Sequence, residues 1–154
     1  MSIVYLGLGS NLGNKEANLN NAISLLSTKV GRILRQSSFY VSKAWGYVSE
    51  NDFLNAVVLI ETDLSPSDLL HETKNIEKHI GRKEKTVGNG YSDRIIDIDI
   101  LFYNDEIINH RNLKIPHPLI IERDFVLTPL TEIAPDFVHP INGKTIKELN
   151  TMTS

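Results

Sequence analysis

The stretch RIIDIDILFY, residues 94–103, decides how the rest of the chain is read. Isoleucine alternates with aspartate from Ile96 to Ile100, the two-residue period of a strand with one apolar and one polar face. Asp97 and Asp99 therefore share a face, with Cα atoms ~6.6 Å apart. Before this strand, Lys83 to Asp93 carries Gly88 and Gly90 among polar and charged residues and reads as a loop. Further upstream, Ser65-Pro66-Ser67-Asp68 starts a helix, with serine as cap and proline at the first position. Its apolar stripe is Leu69, Leu70, Thr73, Ile76 and Ile80, and Gly81 is the stop.

Working outward in both directions, FLNAVVLIET at 53–62 is a nearly continuous apolar strand interrupted by Asn55. It follows a polar loop over 42–52 and a strand expected at 33–41. Leu19, Ala22, Ile23, Leu26 and Val30 recur at helical spacing, which predicts a helix over 15–30 with Asn14 as N-cap and Gly31 as terminator. Ile3 to Leu8 is the first strand, and the glycines after it are expected to shape the turn into that helix. Beyond Tyr103 come a turn at Asn104-Asp105, a short strand at Ile107 and the segment IPHP at 115–118. A helix at 125–133 containing Pro129 and a turn at Asn142-Gly143 complete the chain. The order β-α-β-β-α-β predicts an α+β fold: a ferredoxin-like two-layer sandwich with C-terminal additions, in one domain over 1–154.

Composition narrows the chemistry. At 154 residues, 41% hydrophobic and 23% charged, the chain can bury one core without staples. It has no cysteine, which removes thiolate nucleophiles and cysteine metal sites. A net charge of −3 argues against a general nucleic-acid binder. No apolar run approaches the ~20 residues that span a bilayer. The N-terminus lacks the basic and apolar regions of a signal peptide, so the cytoplasm is the expected compartment.

A bare D-x-D strand fits a wet polar face as well as a metal site. The flanks favour the metal, since Arg94 stands three residues before Asp97, beyond a basic loop that opens with Arg82, Lys83 and Lys85. Acids that hold magnesium beside cations that neutralise phosphate charge are what phosphoryl transfer needs. Asn55 fits either an amide reading the edge of a flat heterocycle or a structural amide at a strand end. Glu77, beside the apolar stripe, has the position of a boundary residue on the solvent side. His117, between two prolines, could be aimed at a phosphate. The spacing in GLGSNLG is G-x-G-x-x-x-G, and without a second parallel β-α unit it is not a dinucleotide fingerprint. Two rivals remain open: another two-metal phosphotransferase or nucleotidyltransferase, and a non-catalytic ferredoxin-like module.

Taken together, GSNLG, FLNAVV (53–58), IEKHIGR (76–82), DRIIDIDIL (93–101), IPHP (115–118) and ERDFVLTPL (122–130) resemble the 6-hydroxymethyl-7,8-dihydropterin pyrophosphokinase family of folate biosynthesis. The resemblance covers almost the whole chain. It implies transfer of pyrophosphate from ATP to the pterin, two Mg2+ ions on Asp97 and Asp99, and catalytic support from Arg94 and Arg82. Phe53 and Phe125 match the aromatic pair around the pterin, and Asn55 matches the amide at its edge. Ser42, Lys43 and Trp45 would lie along the ring. Glu77, Arg82, Tyr91, Arg94, Ile100, Lys114, His117 and Arg123 match positions at the nucleotide. Small-molecule substrates and a monomer are expected. The loop after Arg82 departs from the family pattern. Glu84 stands where an arginine is common, Gly88 and Gly90 occupy the stretch of a second, and Tyr91 replaces a tryptophan. Lys83 or Lys85 would have to supply the charge, without a guanidinium's bidentate geometry.

Overall fold

Residues 1–43, 51–81 and 95–153 are described by a computed structural model. The elements run β1 (Ser2–Ser10), α1 (Lys15–Lys29), β2 (Gly31–Gln36), β3 (Tyr40–Ser42), β4 (Phe53–Thr62), α2 (Pro66–Ile80), β5 (Asp97–Tyr103), β6 (Ile108–Asn109), β7 (Lys114–Ile115), α3 (Asp124–Ile133) and α4 (Ile146–Thr153). A 3-10 turn at Ile120–Glu122 precedes α3. The main sheet has the order β2-β4-β1-β5, with β3 also paired to β4, and every pairing is antiparallel. This is the ferredoxin-like arrangement.

Alternation along the strands separates two cores. Val4, Leu6 and Leu8 of β1, Ala56, Val58 and Ile60 of β4, and Ile98 and Ile100 of β5 pack with Leu19 and Leu26 of α1 and with Leu69 and Ile76 of α2. Tyr5, Val57, Leu59, Leu101 and Phe102 point the other way, onto Val126, Leu127, Leu130 and Ile133 of α3 and onto Ile146 and Leu149 of α4. The C-terminal additions thus cover part of the second sheet face, and the ferredoxin-like unit acquires a third layer there. A bulge in the β1–β5 register between Tyr5 and Leu6 lets Leu101 and Phe102 both reach this second core.

The helix signals act as expected. Asn14 accepts from Ala17 N at 3.0 Å, Ser65 accepts from Asp68 N at 3.2 Å, and Gly81 ends α2 at φ 141°. Gly31 serves differently: α1 ends at Lys29 with Val30 as its C-cap, and Gly31 opens β2. A Cβ at this glycine would fall 2.0 Å from the Glu61 carbonyl oxygen, so close strand approach is what demands it. The single strand expected over 33–41 is two strands. The Ser37 hydroxyl takes the Val57 amide at 2.9 Å, breaking the ladder. The three residues between Gln36 and Tyr40 then lie opposite the two between Val58 and Asn55. Helix α4 was not foreseen. Its signature is T-x-x-E: Glu148 N donates to Thr145 Oγ1 at 3.1 Å and Thr145 N donates to Glu148 Oε1 at 3.0 Å, a capping box.

Candidate active site

Strand register assembles the site on the sheet face that α3 and α4 leave partly open. Gly9 pairs with Asn55 on one side and Asp97 on the other, and Gly7 lies between Val57 and Asp99. Asn55 and the two aspartates are therefore separated by a stretch of β1, Gly7 to Gly9, that carries no side chain on this face. A methyl built on Gly9 would sit 3.3 Å from Asn55 Oδ1 and 3.5 Å from the Phe53 ring, which places all three groups around one shallow floor. These two glycines, expected only to shape a turn, are part of the candidate site's floor at Gly9 and of its packing against Leu101 at Gly7. Their i, i+2 spacing within β1 was the available signal, because it removes side chains from one face of the central strand.

Asn55 is 4% exposed, and its amide hydrogens go to β3, to Ser42 Oγ at 2.7 Å and to the Tyr40 carbonyl at 3.3 Å. A carbonyl can only accept, so the NH2 group must face β3 and Oδ1 must face the Gly9 floor. Asn55 thus secures a strand and leaves its acceptor oxygen on the floor. Beside it, Tyr40, Val41, Ser42 and Lys43 form one wall of a slot of about 350 Å3. Asp124, Phe125 and Thr128 form the other. Phe53 is the β4 partner of Ser42, so the structure brings Phe53, Asn55, Ser42 and Phe125 to one neighbourhood. Lys43 pairs with Asp52 at 3.2 Å, across the base of the segment 44–50.

On the other side of the floor, Arg123 Nη1 lies 3.7 Å from Asp99 Oδ2 and its guanidinium stacks 5.5 Å from the Phe125 ring centroid. One arginine thus joins the acidic and aromatic halves. Burial, then the neighbouring Asp97 charge, push Asp99 up to about 7, against the opposing pull of Arg123. A carboxyl so raised is stabilised in its charged form by added positive charge, and hard oxygen donors suit Mg2+; Asp97 and Asp99 fit that ion. His117 is lowered to about 4, first by burial and then by Arg123. Its Nδ1 accepts from Leu119 N at 3.2 Å, so the neutral ring carries its proton on Nε2, where it can donate to an anion.

Glu77 is not on the solvent side. It is 1% exposed, and its Oε2 accepts from the Ile98 amide at 2.7 Å while Lys74 lies 3.5 Å from Oε1. β5 is a sheet edge, so the Ile98 amide points away from β1, and Glu77 caps this otherwise open position. Alternation then turns the main-chain groups of Ile100 to the same open edge. The Ile100 side chain packs into the core on the opposite face from the aspartates, so only its main chain can serve a nucleotide. Lys114 is exposed on β7, opposite Asn109 and three residues before His117. Trp45, Arg82, Tyr91 and Arg94 lie outside the described residues, as does the departing loop with Glu84, Gly88 and Gly90.

Neighbouring carboxylates, an arginine and a neutral imidazole beside an aromatic slot are the groups that an enzyme of the phosphoryl-transfer class uses. A sequence profile of the 7,8-dihydro-6-hydroxymethylpterin-pyrophosphokinase family matches residues 5–135. The 2-amino-4-hydroxy-6-hydroxymethyldihydropteridine pyrophosphokinase of Porphyromonas gingivalis is 47% identical over 141 residues, covering 91% of this chain and 95% of the relative. The Aquifex aeolicus protein of the same name is 45% identical over 148 residues, covering 96% and 90%. The folic acid synthesis protein of Pneumocystis carinii is 45% identical over 143 residues, which are 93% of this chain and 19% of that one. Among solved structures, wild-type Plasmodium falciparum HPPK-DHPS superposes with a TM-score of 0.81 at 19% identity, over 98% of this chain and 44% of that chain. That likeness shows the fold, and this chain spans less than half of that protein. The chain belongs to the 7,8-dihydro-6-hydroxymethylpterin-pyrophosphokinase family.

Proposed function

We propose that this protein transfers pyrophosphate from ATP to 6-hydroxymethyl-7,8-dihydropterin in folate biosynthesis. The observation that carries the reading is the row across the sheet: an amide acceptor at Asn55, bare Gly9, then Asp97, with Asp99 next along the same strand face. A flat ring can lie on that floor between amide and acids, edge to Asn55 and hydroxymethyl arm toward the carboxylates. The arm's oxygen forms a bond to the β-phosphorus, the bond from that phosphorus to the α–β bridging oxygen breaks, AMP departs, and the hydroxyl proton goes to solvent.

Two Mg2+ ions held by Asp97 and Asp99 would supply charge neutralisation and a more acidic hydroxyl. The chain's own residues do the rest. Phe53, Phe125, Ser42, Lys43 and Trp45 hold the pterin, and Asn55 fixes its edge. Arg123, Arg82, Arg94 and the Nε2–H of His117 would meet phosphate oxygens, and Lys114, Tyr91 and the Ile100 main chain would serve the rest of the nucleotide. Glu77 seats β5. Positioning and preorganised charge account for such a reaction without a protein base. No helix among the described residues is long and apolar enough to cross a membrane. We take the enzyme to be cytoplasmic and to act as a monomer with one domain over 1–154.

The test is product analysis with ATP, Mg2+ and the hydroxymethyl-dihydropterin. AMP release supports pyrophosphoryl transfer. Pyrophosphate release would mean nucleotidyl transfer, and ADP release an ordinary kinase. Asp97→Ala should abolish AMP formation, and near-wild-type turnover in that variant would end the metal assignment.

A further inference from the structure

We propose that Glu132 is a positioning residue for the slot beside Asn55, fastening β3 to α3 and so setting the distance between the wall with Ser42 and the wall with Phe125. The inference rests on the reading of that slot as the pterin side of the site. β3 is three residues long and, among the described residues, pairs with the start of β4 alone, so sheet bonding holds it weakly. Its Val41 is 70% exposed. What fastens it is a carboxylate from across the slot. Glu132 Oε1 accepts from the Tyr40 hydroxyl at 2.6 Å and from the Ser38 amide at 2.9 Å, and Oε2 accepts from the Ser38 hydroxyl at 3.0 Å. Hydrogen bonds to an ionised acceptor are the stronger kind. They hold Glu132 below the usual carboxylate range and raise Tyr40 above its own.

Contacts from this clamp reach both halves of the slot. Tyr40 lines the slot, and its carbonyl accepts from Asn55, whose other amide hydrogen goes to Ser42. On the helical side, Phe125 precedes Glu132 by two turns of α3, ~11 Å along one rigid element. Nearby, Arg35 Nη1 donates to the Ile133 carbonyl at 2.7 Å, tying β2 to the end of the same helix. Glu132 itself does not line the slot. It acts through Tyr40 and Ser38, so its loss should alter ring binding rather than chemistry.

The experiment titrates the full chain separately with 6-hydroxymethylpterin and with a non-hydrolysable MgATP analogue, in wild type, Glu132→Gln, Tyr40→Phe and the double variant. Each single variant should raise the pterin Kd about five- to tenfold and leave the nucleotide Kd within about twofold. The double variant should be little worse than either single, because both act on the same contact: Glu132→Gln takes the charge from its acceptor and Tyr40→Phe takes its donor. Amide hydrogen exchange of unliganded protein should quicken at 40–42 in Glu132→Gln and stay unchanged in α1. An unchanged pterin Kd in both singles overturns the proposal, as does equal weakening of both ligands. If wild type fails to bind the pterin, the functional reading falls. Exchange then decides the clamp alone: faster exchange at 40–42 upholds it, and unchanged exchange removes it.

Discussion

Glu77 of α2 accepts the amide hydrogen of Ile98 at 2.7 Å, so a helix on one side of the sheet grips the residue between the two strand aspartates. The contact is buried and lies at the open edge of β5, where no neighbouring strand could replace it. Glu77→Ala leaves that amide without its acceptor, which costs about 1–3 kcal/mol. Glu77→Gln keeps an acceptor oxygen of the same shape. Urea denaturation should therefore place the alanine variant well below the glutamine variant, and AMP formation should follow the same rank. Equal stability of the two would show that the contact does not seat the strand.

Gly9 supplies a second prediction, since a methyl there meets the Asn55 oxygen at 3.3 Å and the Phe53 ring at 3.5 Å. Those distances are tolerable for folding but occupy the floor on which a ring would lie. Gly9→Ala should weaken pterin binding about tenfold, with the nucleotide Kd and melting temperature little changed. Isothermal titration with each ligand checks this, and unaltered pterin affinity would move the ring elsewhere.

Asp99 gives a pH dependence whose sign can be worked out. Its folded value, about 7, lies above the ordinary 3.8, so the native state holds the proton more tightly than the unfolded chain across that interval. Stability contributed by this group is full below 3.8 and is lost as pH rises toward about 7. Asp99→Asn mimics the protonated form at every pH. Without metal, wild type should therefore lose stability relative to Asp99→Asn as pH rises through that window. Adding Mg2+ above pH ~7 should restore wild type and leave the variant unmoved, because carboxylate ligands must be deprotonated. Thermal melts at stepped pH would show parallel curves if Asp99 were unperturbed.

Local signals carried most of the fold. Asn14, Ser65 and Gly81 name helix ends by their own hydrogen-bonding or backbone needs, and the Ile/Asp alternation fixes which way β5 faces. What escaped were relations between distant strands. Gly31 looks like a helix stop until Glu61 is known to lie against it, and Gly9 looks like a turn residue until Asn55 and Asp97 flank it. Glu77 was placed on the wrong side of its helix because the amide that balances its burial is 21 residues away in sequence. The capping box at Thr145 and Glu148, by contrast, is a local signal, spelled T-x-x-E in the sequence. Asp97 and Asp99 stand out by alternation and Asn55 by interrupting an apolar run, Phe125 by resemblance alone, and register explains the company that Asn55 and the aspartates keep.

His117 provides the last prediction. Burial and Arg123 lower it to about 4, below its ordinary 6.5, and Leu119 N donates to Nδ1. The free protein should therefore show a neutral imidazole protonated at Nε2 throughout pH 5.5–8, with a nitrogen-detected NMR titration midpoint near about 4. The depressed folded value means that protonation opposes folding, so this group's contribution is lost as pH falls from 6.5 through about 4. Binding of a phosphate chain beside Arg123 offsets the arginine's positive charge, so saturating MgATP should raise the midpoint. His117→Phe keeps a flat ring but removes the Nε2–H, and should raise the KM for ATP several-fold while sparing pterin affinity. A midpoint near 6.5, or one indifferent to MgATP, would take the imidazole out of the phosphate site.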